Sequence, residues 1–130
     1  MTEEEKAAVE ALVNEKILEG LAGSMTEMPI NEAKALGAMA LFGEKYGDVV
    51  RVVRFGDYST ELCGGTHLDN SAKIGLFRLV SEGSVAAGVR RVEGVTGLGV
   101  MQLLAAREAT IASAAAALRS SVNDVEHILV

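Results

Sequence analysis

Four valines and a phenylalanine occupy the seven positions from Val49 to Phe55, interrupted only by Arg51 and Arg54. β-Branched and aromatic side chains at this density fit a pleated, half-buried surface, so a strand is predicted here. Gly56-Asp57 supplies a turn, and Tyr58 to Leu62 a partner strand. A hairpin of this kind is not stable alone and must be covered by other elements. The rest of the chain must supply that cover.

The first segment is predicted as an amphipathic helix. Thr2 and Glu5 fit a capping box, and Glu3, Glu4 and Glu5 place negative charge at the positive end of the helix dipole. Val9, Leu12, Val13, Ile17 and Leu21 recur at helical spacing, the pattern of a helix that covers a sheet, and Gly20 and Gly23 offer stop positions. Ser24 to Ile30 reads as a short extended stretch that Pro29 confines to an edge or an end. Asn31 is predicted to cap a second helix running towards Leu41, weakened by Gly37, and Phe42 to Asp48 reads as a loop. Residues 63–73 are polar and contain glycine. Ile74 to Ser81 and Val89 to Val95 read as further strands, joined by a small-residue loop from Glu82 to Gly88.

After Gly97 the composition shifts. Leu98 to Leu118 is rich in alanine and free of proline, which predicts a long helix, with Leu104, Ile111 and Leu118 spaced seven apart. Asn123 or Ser121 is placed to cap a final short helix through Val125, Ile128 and Leu129, and the apolar finish Ile128-Leu129-Val130 reads as a cut end. The expected fold class is α+β: a two-layer sandwich of helices on a mainly antiparallel sheet, followed by a long C-terminal helix.

Composition narrows the function classes. The chain has 130 residues, suited to one compact domain, and a net charge of −6. That acidic balance argues against a small autonomous nucleic-acid binder, whose first sign is a basic excess. One cysteine excludes an internal disulfide framework and fits a reducing compartment. No apolar run approaches the roughly 20 residues of a membrane span, and the acidic start is unlike a signal peptide. A globular, cytoplasmic chain without a membrane partner is expected.

Cys63-Gly64-Gly65-Thr66-His67 is the one constellation with chemistry in it. Thiolate and imidazole are both zinc ligands, and two glycines let the backbone turn sharply enough to aim both at one point. Spacing alone favours the plainer alternative of a buried cysteine, a turn and a surface histidine, because zinc takes four ligands, or three and a water. The other histidine, His127, lies in the terminal segment, and among the carboxylates Asp57, Glu61, Asp69 and Glu82 nothing singles out a third ligand. A nucleophilic Cys63 with His67 as base is a competing use, ranked below metal ligation for want of a third, orienting residue.

The stretches Ala35 to Tyr46, Gly56 to His67, Ile74 to Arg78 and Ala86 to Gly97, in this order, resemble the editing region of the alanyl-tRNA synthetase family. The related threonyl enzymes usually carry an arginine and a proline between the cysteine and the histidine, so Gly64 and Thr66 favour the alanine branch. The resemblance implies an α/β sandwich and divides the chain into residues 1–97, the C-terminal half of an editing-type second additional domain, and residues 98–130, the start of a helical linker towards a C-terminal domain. It implies an ATP-dependent ligase of alanine and its tRNA whose editing site hydrolyses mischarged seryl- or glycyl-tRNA. Cys63 and His67 become zinc ligands, completed in the family by a His-x3-His pair that this sequence lacks. ATP and magnesium belong to an adenylation domain outside this chain.

Further expectations follow from the resemblance. Arg90 is expected to shape the pocket or hold the tRNA end, although a solvated strand position is the plainer role for Arg90 or Arg91. The Thr66 hydroxyl can recognise the serine hydroxyl or cap the loop. The implied partners are alanine tRNA, the N-terminal half of the editing domain, and a second copy of this chain through the Leu104/Ile111/Leu118 face. Two alternatives share the motif: part of a free-standing trans-editing deacylase, and a non-catalytic tRNA-docking module.

Overall fold

The computed structural model of the chain describes residues 1–40 and 45–129. The predicted helix end at Leu41, the loop positions 42–44 and the terminal Val130 lie outside the described residues. The chain forms two compact units, Met1–Phe77 and Arg78–Val130. The α+β class and the antiparallel pairing hold, and the strands divide between a three-stranded sheet and a two-stranded one.

In the first unit, α1 (Glu3–Leu18) opens with the predicted capping box. Thr2 Oγ1 accepts the Glu5 N–H at 3.1 Å, and Glu5 Oε2 accepts the Thr2 N–H at 2.8 Å. The apolar side of α1 faces Phe55, Tyr58 and Ser59, as expected of a helix beside the sheet, and its backbone also runs close to the 3-10 turn Ser71–Ile74. Of its predicted stripe only Ile17 is buried, while Val9 and Leu12 stay exposed. They border an open apolar groove of about 260 Å³ whose other wall includes Phe55, Tyr58 and Ile74. Polar contacts from the far end of the unit fix the helix's C-terminal end. Ser71 Oγ lies 2.9 Å from Lys16 O and accepts the Leu21 N–H at 2.7 Å, and Asn70 Nδ2 donates to Gly20 O at 2.9 Å.

Strands β1 (Gly23–Pro29), β2 (Val49–Phe55) and β3 (Ser59–Leu62) form the antiparallel sheet with β2 in the centre. Gly23 stands opposite Phe55 and Pro29 opposite Val49, so Pro29 closes an edge strand as its missing N–H requires. On the other side Val52 pairs with Leu62 and Phe55 with Ser59. The valine-rich run takes the centre because both its faces can be buried. Val50 and Val52 join Ala33 and Leu62 in the core, and Val53 is buried as well. Successive strand side chains alternate in direction, so Arg51 shares the face of Val53, not that of Val50 and Val52.

The second helix, α2 (Ile30–Ala35), is shorter than predicted and begins before Asn31, directly after Pro29. Gly37 closes it at φ 75°, a conformation cheap only for glycine, with the Gly37 N–H bonded to Lys34 O and the Ala38 N–H to Ala33 O. Met39 then joins the free edge of β3, its N–H donating to Thr60 O and its carbonyl accepting the Leu62 N–H.

β4 (Phe77–Ala86) and β5 (Val89–Thr96) make the separate two-stranded sheet. The strand predicted from Ile74 starts three residues later, because residues 71–74 form the 3-10 turn. The loop predicted from Glu82 to Gly88 contracts to Ala87-Gly88, with Gly88 at φ 71°. Gly83, Ser84 and Ala86 have weak strand preference of their own, and pairing with β5 overrides it. The long helix follows as predicted, α3 (Leu98–Ala117), with Leu104, Ile111 and Leu118 all exposed. A 3-10 turn, Val122–Asp124, leads into α4 (Val125–Leu129). Among the described residues no helix is long and apolar enough to cross a membrane.

Candidate metal centre

The Cys63–His67 segment leaves the sheet where β3 ends, as the sequence suggests. One step beyond the Val52–Leu62 pair, the Cys63 N–H donates to Arg51 O at 3.2 Å, so the ladder carries the backbone into the motif. Cys63 and His67 are each half-buried, while Gly64, Gly65 and Thr66 between them are exposed. A Cβ placed on Gly65 would stand 3.6 Å from Cys63 Sγ and 3.9 Å from His67 Nε2. Sulfur and ring nitrogen therefore flank one small space that exists because residue 65 has no side chain.

His67 Nε2 is buried, and among the described residues it has no hydrogen-bond partner. Arg54 Nε is a second such atom among the described residues, and for His67 a buried polar atom without a partner carries a desolvation cost. A cation beside the nitrogen would remove that cost, and a soft sulfur at the same opening suits zinc. The two residues thus fit the metal that the sequence resemblance implies. The nucleophile alternative fares less well: with Nε2 making no hydrogen bond, that nitrogen does not hold the Cys63 thiol as a base must.

Cys63 and His67 are a candidate pair and no more. Among the described residues, no group of three or more histidine, cysteine, aspartate and glutamate side chains gathers to hold an ion. Of the four candidate carboxylates, three are engaged elsewhere: Asp57 with Arg54 at 3.5 Å, Asp69 with Lys73 at 2.6 Å, and Glu82 with Arg90. Glu61 is exposed on β3. An open hollow of about 240 Å³ lies against Cys63 and Gly64, walled by Tyr46, Arg51 and Leu62 among others.

Sequence reasoning passed over Arg51, treating it as a break in the valine run. Its Nη1 donates to both Gly64 O, at 3.2 Å, and Gly65 O, at 3.0 Å. The contact spans thirteen and fourteen residues, and only the register of β2 against β3 discloses it.

Comparison with known proteins bears on the family. Residues 50–93 match the family described as the threonyl and alanyl tRNA synthetase second additional domain. That span holds Arg51, Cys63, Thr66, His67 and Arg90. The alanine–tRNA ligase of Bacillus velezensis is 54% identical over 125 residues, covering 96% of this chain. Those of Bacillus pumilus and Listeria monocytogenes are each 53% identical, over 125 and 124 residues. This chain corresponds to a segment of alanine–tRNA ligase. It spans 14% of the length of these relatives.

Within this ligase segment the remaining predicted residues sit apart from the donor pair in character. Thr66 is exposed at the crest of the motif. Arg90 lies on β5, where its Nε and Nη2 grip both oxygens of Glu82 on β4, the second contact at 3.1 Å. That guanidinium holds the Glu82 carboxyl well below the usual carboxylate range, at about 2. Arg90 is half exposed but not simply solvated, since Glu82 neutralises its charge.

Proposed function

We propose that this chain supplies one half of a zinc-dependent editing site, in which an alanine–tRNA ligase hydrolyses mischarged seryl- or glycyl-tRNA. The observation that carries the reading is the buried His67 Nε2, without a hydrogen-bond partner among the described residues and facing the same space as Cys63 Sγ. Residues 1–97 would form the C-terminal half of the editing domain and residues 98–130 the start of a helical linker. In the whole ligase, which joins alanine to its tRNA in the cytoplasm, ATP and magnesium would serve a separate adenylation domain.

Cys63 and His67 would hold the zinc, with the remaining ligands supplied from outside this chain. When bound, the metal supplies a Lewis acid that polarises or positions a participant in ester hydrolysis. The reaction adds water across the aminoacyl ester: the acyl carbon gains the water oxygen, and the ester oxygen leaves with a proton as a ribose hydroxyl of the tRNA. The chain's own residues would bind and sort. The Thr66 hydroxyl, exposed beside the donor pair, can hydrogen-bond a serine hydroxyl, the kind of polar partner through which a site separates substrates that an apolar pocket cannot. Arg90, if it reaches the tRNA end, does so while tied to Glu82, which directs the guanidinium rather than leaving it free.

Ligase relatives far longer than this chain favour a synthetase segment over a free-standing deacylase. The orphaned imidazole favours metal chemistry over a docking module that has lost it. Two measurements test the proposal. Zinc binding by the 130-residue chain is expected to fall when Cys63 is replaced by alanine. Seryl-tRNA deacylation by the wild-type chain is expected to stay far below that of an intact ligase, because half the ligands are lacking. Zinc binding that ignores Cys63→Ala, or deacylation at the intact rate, overturns it.

A further inference from the structure

We infer that Arg51 is a positioning residue for the Cys63–His67 donor pair, setting the glycine backbone that aims sulfur and imidazole at one space. The inference rests on the metal-site reading above and adds a residue that neither the motif nor the family comparison identifies. Gly64 and Gly65 are the most freely rotating residues the backbone can contain, and both are exposed. Left alone, such a hinge samples many directions, and two donors attached to it meet only part of the time. Arg51 removes that freedom at three points. Its carbonyl accepts the Cys63 N–H, and its Nη1 donates to the carbonyls of Gly64 and Gly65. Fixing two successive carbonyls orients two successive peptide planes, and these planes set where Cys63 and His67 point.

Arg51 is itself well placed to act as an anchor. It sits on the central strand, between Val50 and Val52 of the core. Its Nη2 lies 2.9 Å from Met25 Sδ on β1, so the guanidinium plane is held on two sides. A planar fork of donors can do this, whereas a lysine ammonium in the same place keeps the charge without the fixed directions. Arg54, three residues on in the same strand, instead pairs with Asp57.

The test is a cobalt titration of the 130-residue chain, following the thiolate-to-cobalt charge-transfer absorbance, with thermal melting by circular dichroism in parallel. Arg51→Met is expected to weaken apparent cobalt affinity about tenfold, the usual scale for a group that orients a metal ligand. Arg51→Lys should fall between it and the wild type, and Arg54→Met should match the wild type. An order set by charge alone would run otherwise, because Arg51→Lys would equal the wild type. Wild-type affinity in Arg51→Met overturns the inference, as does an equal loss in Arg54→Met. Should Arg51→Met fail to fold, Arg51→Lys decides: full wild-type affinity in a folded Lys variant sinks the claim. Cys63→Ala keeps the two readings apart. If it abolishes the band while Arg51→Met leaves affinity intact, only the role of Arg51 fails. If Cys63→Ala binds cobalt as the wild type does, the metal reading fails and this one with it.

Discussion

Asn14 on α1 pairs with the backbone of Phe77 through both ends of its amide: Oδ1 accepts the Phe77 N–H at 2.7 Å, and Nδ2 donates to Phe77 O at 2.9 Å. The side chain thus imitates a neighbouring strand for the first residue of β4. Replacing it by alanine leaves a part-buried donor and acceptor unmatched, so Asn14→Ala is expected to cost about 1–3 kcal/mol. Urea unfolding followed by circular dichroism measures this, and a change within error would mean water replaces both bonds at no cost.

Ser71 plays a similar part close by, where α1 ends. Its hydroxyl, in a residue 5% exposed, reaches the carbonyls of Lys16 and Ile17 and accepts the Leu21 N–H. Ser71→Ala keeps the volume of the β-carbon and strands these groups, with an expected loss of about 1–3 kcal/mol. Combining it with Asn14→Ala should cost more than either change alone but depart from a simple sum, since the two side chains hold neighbouring turns of the same helix end.

Gly65→Ala tests the donor pair without touching either donor. The new methyl would stand at ordinary contact distance from Cys63 Sγ and His67 Nε2, and Gly65 does not adopt a positive φ. The fold should therefore survive with an unchanged melting temperature while zinc affinity drops at least tenfold, because the methyl fills the space a cation needs. Unaltered zinc binding in a competition titration would show that the metal sits elsewhere.

The Glu82–Arg90 pair makes a prediction in pH. The Glu82 pKa is lowered from an ordinary 4.5 to about 2, with the Arg90 hydrogen bond the largest cause. Its contribution to the β4–β5 hairpin is therefore complete above pH 4.5 and is lost as pH falls towards 2. The carboxyl carbon shift of Glu82 should titrate near pH 2 in the wild type and move upward in Arg90→Gln. A wild-type midpoint near 4.5 would show that the pair does not persist in solution.

Elements governed by local pattern were legible before any coordinates. The Thr2–Glu5 cap, the valine run of β2, the edge position of Pro29 and the length of α3 all follow from chemistry within a few residues. Local reading failed where pairing outvoted preference. The small residues of 82–86 read as a loop and are strand, and the helix drawn to Leu41 stops at Gly37 so that Met39 can join β3.

The site divides along the same line. By itself the sequence determined the donor types, their spacing and the hinge between them, because ligand chemistry and glycine's freedom are properties of residues. The tertiary structure alone decided that His67 Nε2 is buried without a partner among the described residues, that Arg51 clamps the hinge, and that Glu82 is spent on Arg90. Each of these depends on strand register or on burial, which bring together groups whose separation along the chain says nothing about their separation in space.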